Sequence, residues 1–316
     1  MLVILWHTPS IYYFLGGRMS PTALVTGATG FVGAALTRQL LRSGWSVAIV
    51  TRPSSDFSAV EDFISQVDAY VYDGKTQSII EILEKVRPDV VFHVASLVLT
   101  QHTPEQVESL ISSNVLFGTQ LLEAMVLAGV KKFINTSTTW QYFGEENKQS
   151  VNLYAATKKA YEEVIDYYND AHDISVISLV LSDTYGIGDR RVKLINLLID
   201  AVRRDEKISM SPGDQIVDVS HVYDVVRSFE SAAQDLIEAT STVNLKFAIS
   251  GARLSVKELV AEVERVSGKK INAEFGGRAY RIREVMAPPV LPLYISKWSK
   301  VDLGEGIKEL LNSKVK

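Results

Sequence analysis

The strongest constraint on this chain is an alternation that starts at Thr22, in which short apolar runs of strand length are each followed by a stretch of helical period. TALVTG reads as a buried strand. FVGAALTRQLLRSG reads as a helix with Phe31, Ala35, Leu36 and Leu40 on one face. Residues 46–51, 69–72 and 89–95 are the next strands, and a helix around 78–86 stops before Pro88. A long helix over 104–128 closed by Gly129, a strand over 132–136, a helix over 152–170 and a strand over 175–181 continue the pattern. Strands separated by helices of this length imply a parallel sheet covered on both faces, an α/β fold.

Beyond residue 181 the alternation breaks down. Residues 185–189 form a glycine-bearing loop, 193–203 a helix, and 278–292 a stretch rich in Arg and Pro. Residues 255–267 begin like a capped helix, with Ser255 and Glu258 in capping-box spacing, and 304–311 is a short final helix. The expected organisation is an extension over 1–18, a dinucleotide-binding domain over 19–180 plus about 214–250, and a smaller interleaved substrate lobe over 181–213 plus 251–316.

With 316 residues, 47% hydrophobic and 22% charged, the chain is an ordinary globular mixture with enough material for a real core. A formal charge of −4 offers no basic surplus for nucleic acid or an anionic membrane. There is no cysteine, which removes disulfides, thiolate nucleophiles and thiolate metal sites and makes a cytoplasmic location the simple reading. The histidines at 7, 93, 102, 172 and 221 show no metal-ligand spacing, so no metal is expected, and mid-strand His93 reads as structural. Residues 1–17 carry no charged side chain, but Arg18 follows the apolar stretch and 7–10 interrupt it, which suits neither a signal peptide nor a membrane span. An upstream extension and a weak interfacial anchor remain the two readings of that segment.

TGATGFVG, residues 26–33, links the first strand to the first helix. Gly27 permits the tight turn, Gly30 lets backbone approach a pyrophosphate, and Gly33 allows the helix to pack closely on the strand. Together with Thr29, Phe31 and Val32 these residues form the candidate phosphate loop, where a helix N-terminus presents free N–H groups. The second strand ends in Arg52, with Ser54 and Ser55 behind it and the first acid only at Asp56. A carboxylate at the strand end would bind both ribose hydroxyls, whereas an arginine pairs with a 2′-phosphate, so NADP(H) is favoured and NAD(H) stays possible. Asp73 and Gly74 follow the third strand, placed either to accept from the adenine amine or as a plain turn.

Tyr154 and Lys158 stand at i and i+4 on one helical face. A nearby ammonium favours phenolate and is expected to lower the tyrosine pKa, which makes Tyr154 a candidate acid/base. The preceding strand ends in Asn135-Thr136-Ser137-Thr138 and supplies a hydroxyl at the end where open α/β sheets bind ligands.

TGATGFVG, DVVFHVAS, Asn114 with VLFGTQLLEA, the hydroxyl-rich strand end, YAATK, TYGIGDR, HVYDVV and a closing Trp298 before GEGIKELL follow one another in this order. In that order the chain resembles the extended short-chain dehydrogenase/reductase superfamily, in its nucleotide-sugar branch, over almost all of its length from Thr22. YYNDAHDISVISLVLSDTYGIGDRR and AEFGGRAYRIRE look like the CDP-abequose synthase-like nucleotide 4-keto-6-deoxyhexose reductases. The resemblance implies a Rossmann-type doubly wound sheet with Tyr154 as acid/base, and with Lys158 as its tuning cation and ribose ligand. It implies Thr138 as the polarising hydroxyl with Ser137 a register away, and Asn114 as the residue that fixes the helix and relays protons. Further cofactor positions fall at Ala95, Ser96 and Thr136, and substrate anchors at Arg281 and Arg191. Dehydratases of the family carry an Asp-Glu pair after the hydroxyl; here those positions are Thr139 and Trp140, and Glu145 and Glu146 lie beyond a loop. Val180 stands where many relatives have arginine, and Ile187 replaces a proline. These departures bear on substrate identity. Tyr161, Tyr167 and Tyr168 follow helix spacing and read as core or dimer surface, since helices 104–128 and 152–170 form a two-fold interface in the family.

The reading that follows is an NADPH-dependent reductase of a nucleotide-linked 4-keto-6-deoxysugar, a homodimer without nucleic-acid or membrane partners. A nucleotide-sugar epimerase with tightly bound NAD and a non-catalytic dinucleotide-sensing protein are the alternatives.

Overall fold

The computed structural model describes residues 20–144 and 149–313. The extension over 1–18 and the acids Glu145 and Glu146 lie outside the described residues. The first half runs β1 (Thr22–Thr26), α1 (Phe31–Arg42), β2 (Ser46–Thr51), β3 (Asp68–Val71), α2 (Thr76–Val86), β4 (Val90–His93), α3 (Val107–Ile111), α4 (Phe117–Ala128), β5 (Lys132–Thr138), α5 (Leu153–His172) and β6 (Ser175–Leu181). It continues through β7 (Asp183–Tyr185), α6 (Leu194–Arg204), β8 (Ile208–Met210), β9 (Ile216–His221), α7 (Val222–Glu238), β10 (Asn244–Ile249), β11 (Ala252–Ser255), α8 (Val256–Ser267), β12 (Ala273–Phe275) and α9 (Leu303–Asn312).

Seven strands form one parallel sheet in the order β3-β2-β1-β4-β5-β6-β10. Successive residues of a strand point to opposite faces, so β1 sends Val25 one way and Leu24 the other. Val25 joins Phe92, Leu36 and Leu40 of α1 and Phe229 of α7 in one core. Leu24 joins Val91, Phe133, Leu83, Leu121, Met125 and Tyr161 under α2, α4 and α5 in the other. The order of strand addition reverses between β1 and β4, and that switch point opens a crevice at the carboxyl ends of the strands.

The helical run Pro104–Ala128 is apolar and long enough by composition to cross a bilayer, yet half of its most apolar window is buried in the fold, with Leu121, Leu122 and Met125 in the core. It is not one uniform helix. It opens in a 3₁₀ turn capped by Thr103 and Gln106 and contains a π-helical turn at Ser112–Leu116. Strand β5 runs two residues past its expected end, pairing through Thr138 with Leu181 of β6, and so carries Thr138 to the rim of the crevice.

A third core gathers Leu198 of α6, Leu259 and Val263 of α8, and Ile307 and Leu310 of α9 around Tyr185. The capping box at Ser255 forms as expected and starts α8. Within 214–250, the stretch read as returning to the dinucleotide domain, residues 216–221 instead pair with β7 and β11 in a separate three-stranded sheet. The physical cause is local. Buried Asp218 of β9 accepts hydrogen bonds from Ser250 Oγ (2.6 Å), Gly251 N (2.8 Å) and Arg253 Nε (2.8 Å), which ties β9 to β11. The chain rejoins the large sheet at α7 and β10.

Candidate active site

A cavity of about 900 Å³ opens at the crevice and reaches from the glycine loop and Arg52 at one end to Trp140 and Lys193 at the other. Its shape at the first end is decided by absent side chains. Gly27 has φ +74°, and a Cβ there would meet Ala95 N at 2.6 Å; a Cβ on Gly33 would fall 2.1 Å from Gly27 O. Gly30 caps α1 with no side-chain hydrogen bond, which leaves the first-turn amides to an anion. Thr29, Phe31 and Val32 line the same stretch.

Arg52 lines the cavity at the end of β2 and is exposed; among the described residues its guanidinium has no ion pair. The nearest acid, Asp56, is turned onto Ser58, accepting from its N (2.9 Å) and Oγ (2.8 Å), and these bonds hold its carboxyl below the usual range. Gly74 lines the cavity. Asp73 does not, and its carboxylate accepts from Lys75 N (2.9 Å) at the start of α2. Ala95 and Ser96 lie on the loop after β4, and Thr136 on β5 has a buried hydroxyl without a partner facing that wall.

Asn114 sits in the π-helical turn, fully buried, and fixes the Ser96 loop to α5. Its Oδ1 accepts from Leu97 N (2.8 Å) and Ser96 Oγ (3.1 Å), and its Nδ2 donates to Leu97 O (2.9 Å) and Thr157 Oγ1 (3.1 Å). Asn114 keeps helical step with the buried Leu110, Phe117 and Leu121, so the face that enters the core carries it inward.

Tyr154 on α5 is 8% exposed, and the hydroxyls of Thr138 and Ser96 act on its phenol. Ser137 points away, its single hydroxyl proton shared between Gln141 Oε1 and Glu162 Oε1 (2.9 Å), so Thr138 is the strand-end hydroxyl beside the tyrosine. The expected lowering of the Tyr154 pKa is corrected by the structure. Burial pushes it up, and the Thr138 and Ser96 hydrogen bonds and the Arg191 charge only partly oppose this. Lys158 is itself 2% exposed with no hydrogen-bond partner for its ammonium among the described residues, and burial pulls it down to about 8 against the pull of Glu162. Among the described residues, an orphaned hydroxyl at Thr136, an open helix N-terminus and a side-chain-free turn fit a dinucleotide along this wall, while Lys158 is buried behind it and does not line the cavity.

Arg191 lines the cavity, held by Asp189 and by Thr184 O, to which its Nη2 donates at 3.0 Å. Arg281 is not among the cavity residues. It is exposed, with its Nε 3.7 Å from Glu284. Sequence reasoning missed Asp183 and Lys193, which form a 2.9 Å ion pair in the wall, with the Lys193 ammonium 5.4 Å from the centre of the Trp140 ring. They come from opposite ends of a loop, and no spacing marks them. His93 is structural as expected: its Nδ1 and Thr26 Oγ1 share a 2.9 Å hydrogen bond.

Comparison with known proteins agrees with this geometry. A CDP-abequose synthase of Salmonella muenchen is 27% identical over 92% of this chain and 97% of its own length. A UDP-glucose 4-epimerase of Corynebacterium glutamicum is 28% identical over 81% of this chain and 83% of its own. The solved structure of MoeE5 in complex with UDP-glucose and NAD superposes with a TM-score of 0.75 at 26% identity, covering 92% of this chain and 97% of that one. Residues 23–245 match the NAD dependent epimerase/dehydratase family. The chain therefore belongs to that family and is an NAD(P)-dependent enzyme of the extended short-chain dehydrogenase/reductase type.

Proposed function

We propose that this enzyme uses NADPH to reduce the keto group of a nucleotide-linked 4-keto-6-deoxysugar. One observation carries the reading: beside the Tyr154–Thr138 pair the wall continues as Thr139 and Trp140, neither of which exchanges a proton near neutrality. Loss of water from the sugar needs a second acid and base next to the reacting carbon. Of the acids that line the wall among the described residues, Asp183 is engaged by Lys193 and Asp56 by Ser58. Reduction needs one hydride, which the bound nicotinamide supplies, and one proton.

Tyr154 gives that proton. Its raised pKa keeps the phenol protonated, which suits a donor, and Thr138 orients the carbonyl oxygen toward it. Lys158 holds the ribose hydroxyls, and Arg52 takes the 2′-phosphate, which gives NADPH its preference. Arg191 and the lobe around Tyr185 receive the nucleotide sugar, with Arg281 on the exposed segment closing on the pyrophosphate. Binding energy from that remote end positions the sugar for the chemical step. Val107, Ile111, Leu127 and Tyr167 are exposed apolar side chains on α3, α4 and α5, and they supply the face for a homodimer.

The test is NADPH oxidation with CDP- or dTDP-4-keto-6-deoxyglucose against the parent hexose nucleotide. Stoichiometric oxidation with the keto sugar alone supports the reading. Formation of a 4-keto-6-deoxy product from the parent hexose without net NADPH use overturns it. The similarity to UDP-glucose 4-epimerases favours a second reading, epimerisation with retained NAD, which copurified NAD and interconversion of UDP-hexoses would reveal.

A further inference from the structure

We propose that Glu162 is a positioning residue that acts through Lys158, its carboxylate standing one helical turn from the buried ammonium and accepting a hydrogen bond from Ser137, the residue before Thr138. The inference rests on the reading of Lys158 as the ribose ligand.

Lys158 is enclosed. From β4 it faces His93, which burial holds neutral; from its own helix it faces Tyr154, the Tyr161 ring 5.9 Å from its Nζ, and Glu162 one turn on. Glu162 is the carboxylate whose charge acts on it. Exposed i, i+4 pairs contribute little because water screens them, but an enclosed ammonium feels its partner through a poorly polarisable medium.

Glu162 is fixed from two further elements. Its Oε1 accepts from Ser137 Oγ on β5 at 2.9 Å, and its Oε2 accepts from Lys246 Nζ on β10 at 2.6 Å. Its side chain is 14% exposed and that of Lys246 41%, so the ion pair runs from the interior toward the surface. Burial disfavours the Lys246 charge, but the Glu162 hydrogen bond and charge outweigh it and raise its pKa. Ser137 directly precedes Thr138, whose hydroxyl meets Tyr154. One carboxylate thus touches the neighbour of the polarising hydroxyl and sets the charge of the ribose ligand. A carboxylate placed only to join α5 to β10 would need the Lys246 contact and nothing more.

The experiment follows NADH and NADPH affinity by ligand fluorescence from pH 6 to 10 in the full chain. Wild-type affinity is expected to fall as the pH rises through about 8, where Lys158 loses its proton, and Lys158→Met should flatten that step. Glu162→Gln keeps a hydrogen bond to Ser137 but removes the charge, and should move the step down by about one pH unit. Glu162→Asp should restore most of the shift. Lys246→Met breaks the same ion pair while removing a competing cation, so its step should stay at the wild-type position or move up. A step that does not move in Glu162→Gln overturns the proposal. So does a Lys246→Met profile displaced downward as far, because that would make Glu162 a structural tie. If Glu162→Gln does not fold, Glu162→Asp and Lys246→Met decide by the same criterion of direction. The measurement needs no sugar, so a failure to reduce keto sugars would sink the proposed reaction and leave this result standing.

Discussion

The guanidinium carbon of Arg191 lies 4.9 Å from the centre of the Phe31 ring, so the loop after β7 rests on the first residue of α1. The contact couples the lobe side of the cavity to the glycine loop. Arg191→Ala should raise KM for the nucleotide sugar roughly tenfold, the worth of one charge-assisted hydrogen bond, with a smaller change in kcat. Steady-state kinetics check this, and an unchanged KM would remove Arg191 from the substrate site.

Arg52 faces the cavity with Ser54 and Ser55 beside it and, among the described residues, without an ion pair. Arg52→Ala should weaken NADPH by about one to two decades and leave NADH nearly unchanged. Calorimetric titration of both cofactors is the measurement. Equal wild-type affinities would refute the preference.

Tyr154→Phe should lower turnover by roughly 10²–10⁴-fold with cofactor binding retained. Thr138→Val should cost less, because it removes a polarising hydrogen bond and spares the proton donor. Near-normal turnover in Tyr154→Phe would end the assignment of the acid.

A methyl group on Gly33 has nowhere to go, since its Cβ position is 2.1 Å from Gly27 O. Gly33→Ala should destabilise the fold by about 3 kcal/mol and abolish cofactor binding even where the chain folds. Denaturant unfolding with a parallel cofactor titration separates the two effects.

Burial holds His93 well below the ordinary histidine pKa, with the Lys158 charge adding to the effect. A depressed pKa means that the unfolded chain binds the proton more readily, so stability is full above the unfolded value near 6.5 and falls as the pH drops beneath it. The expected loss approaches about 1.4 kcal/mol per pH unit for this one group. Unfolding midpoints at pH 7.5 and 5.5 test it. His93→Gln should flatten that slope.

The sheet, the glycine loop and the tyrosine–lysine pair are legible in the residues alone, because these depend on short-range regularities. Apolar period marks buried strands and amphipathic helices, the spacing of Gly27, Gly30 and Gly33 encodes one local turn, and Tyr154 and Lys158 share a face through helix geometry alone. Only the tertiary structure decided between Thr138 and Ser137, since adjacent strand residues face opposite ways and the register against β6 selects which one meets Tyr154. It reversed the expected shift of Tyr154 as well. Spacing reveals a neighbouring charge, but desolvation comes from everything packed around the phenol. The pairing of β9 with β11 and the Asp183–Lys193 pair were hidden for the same reason: each joins residues that no local pattern connects, and folding alone brings them together.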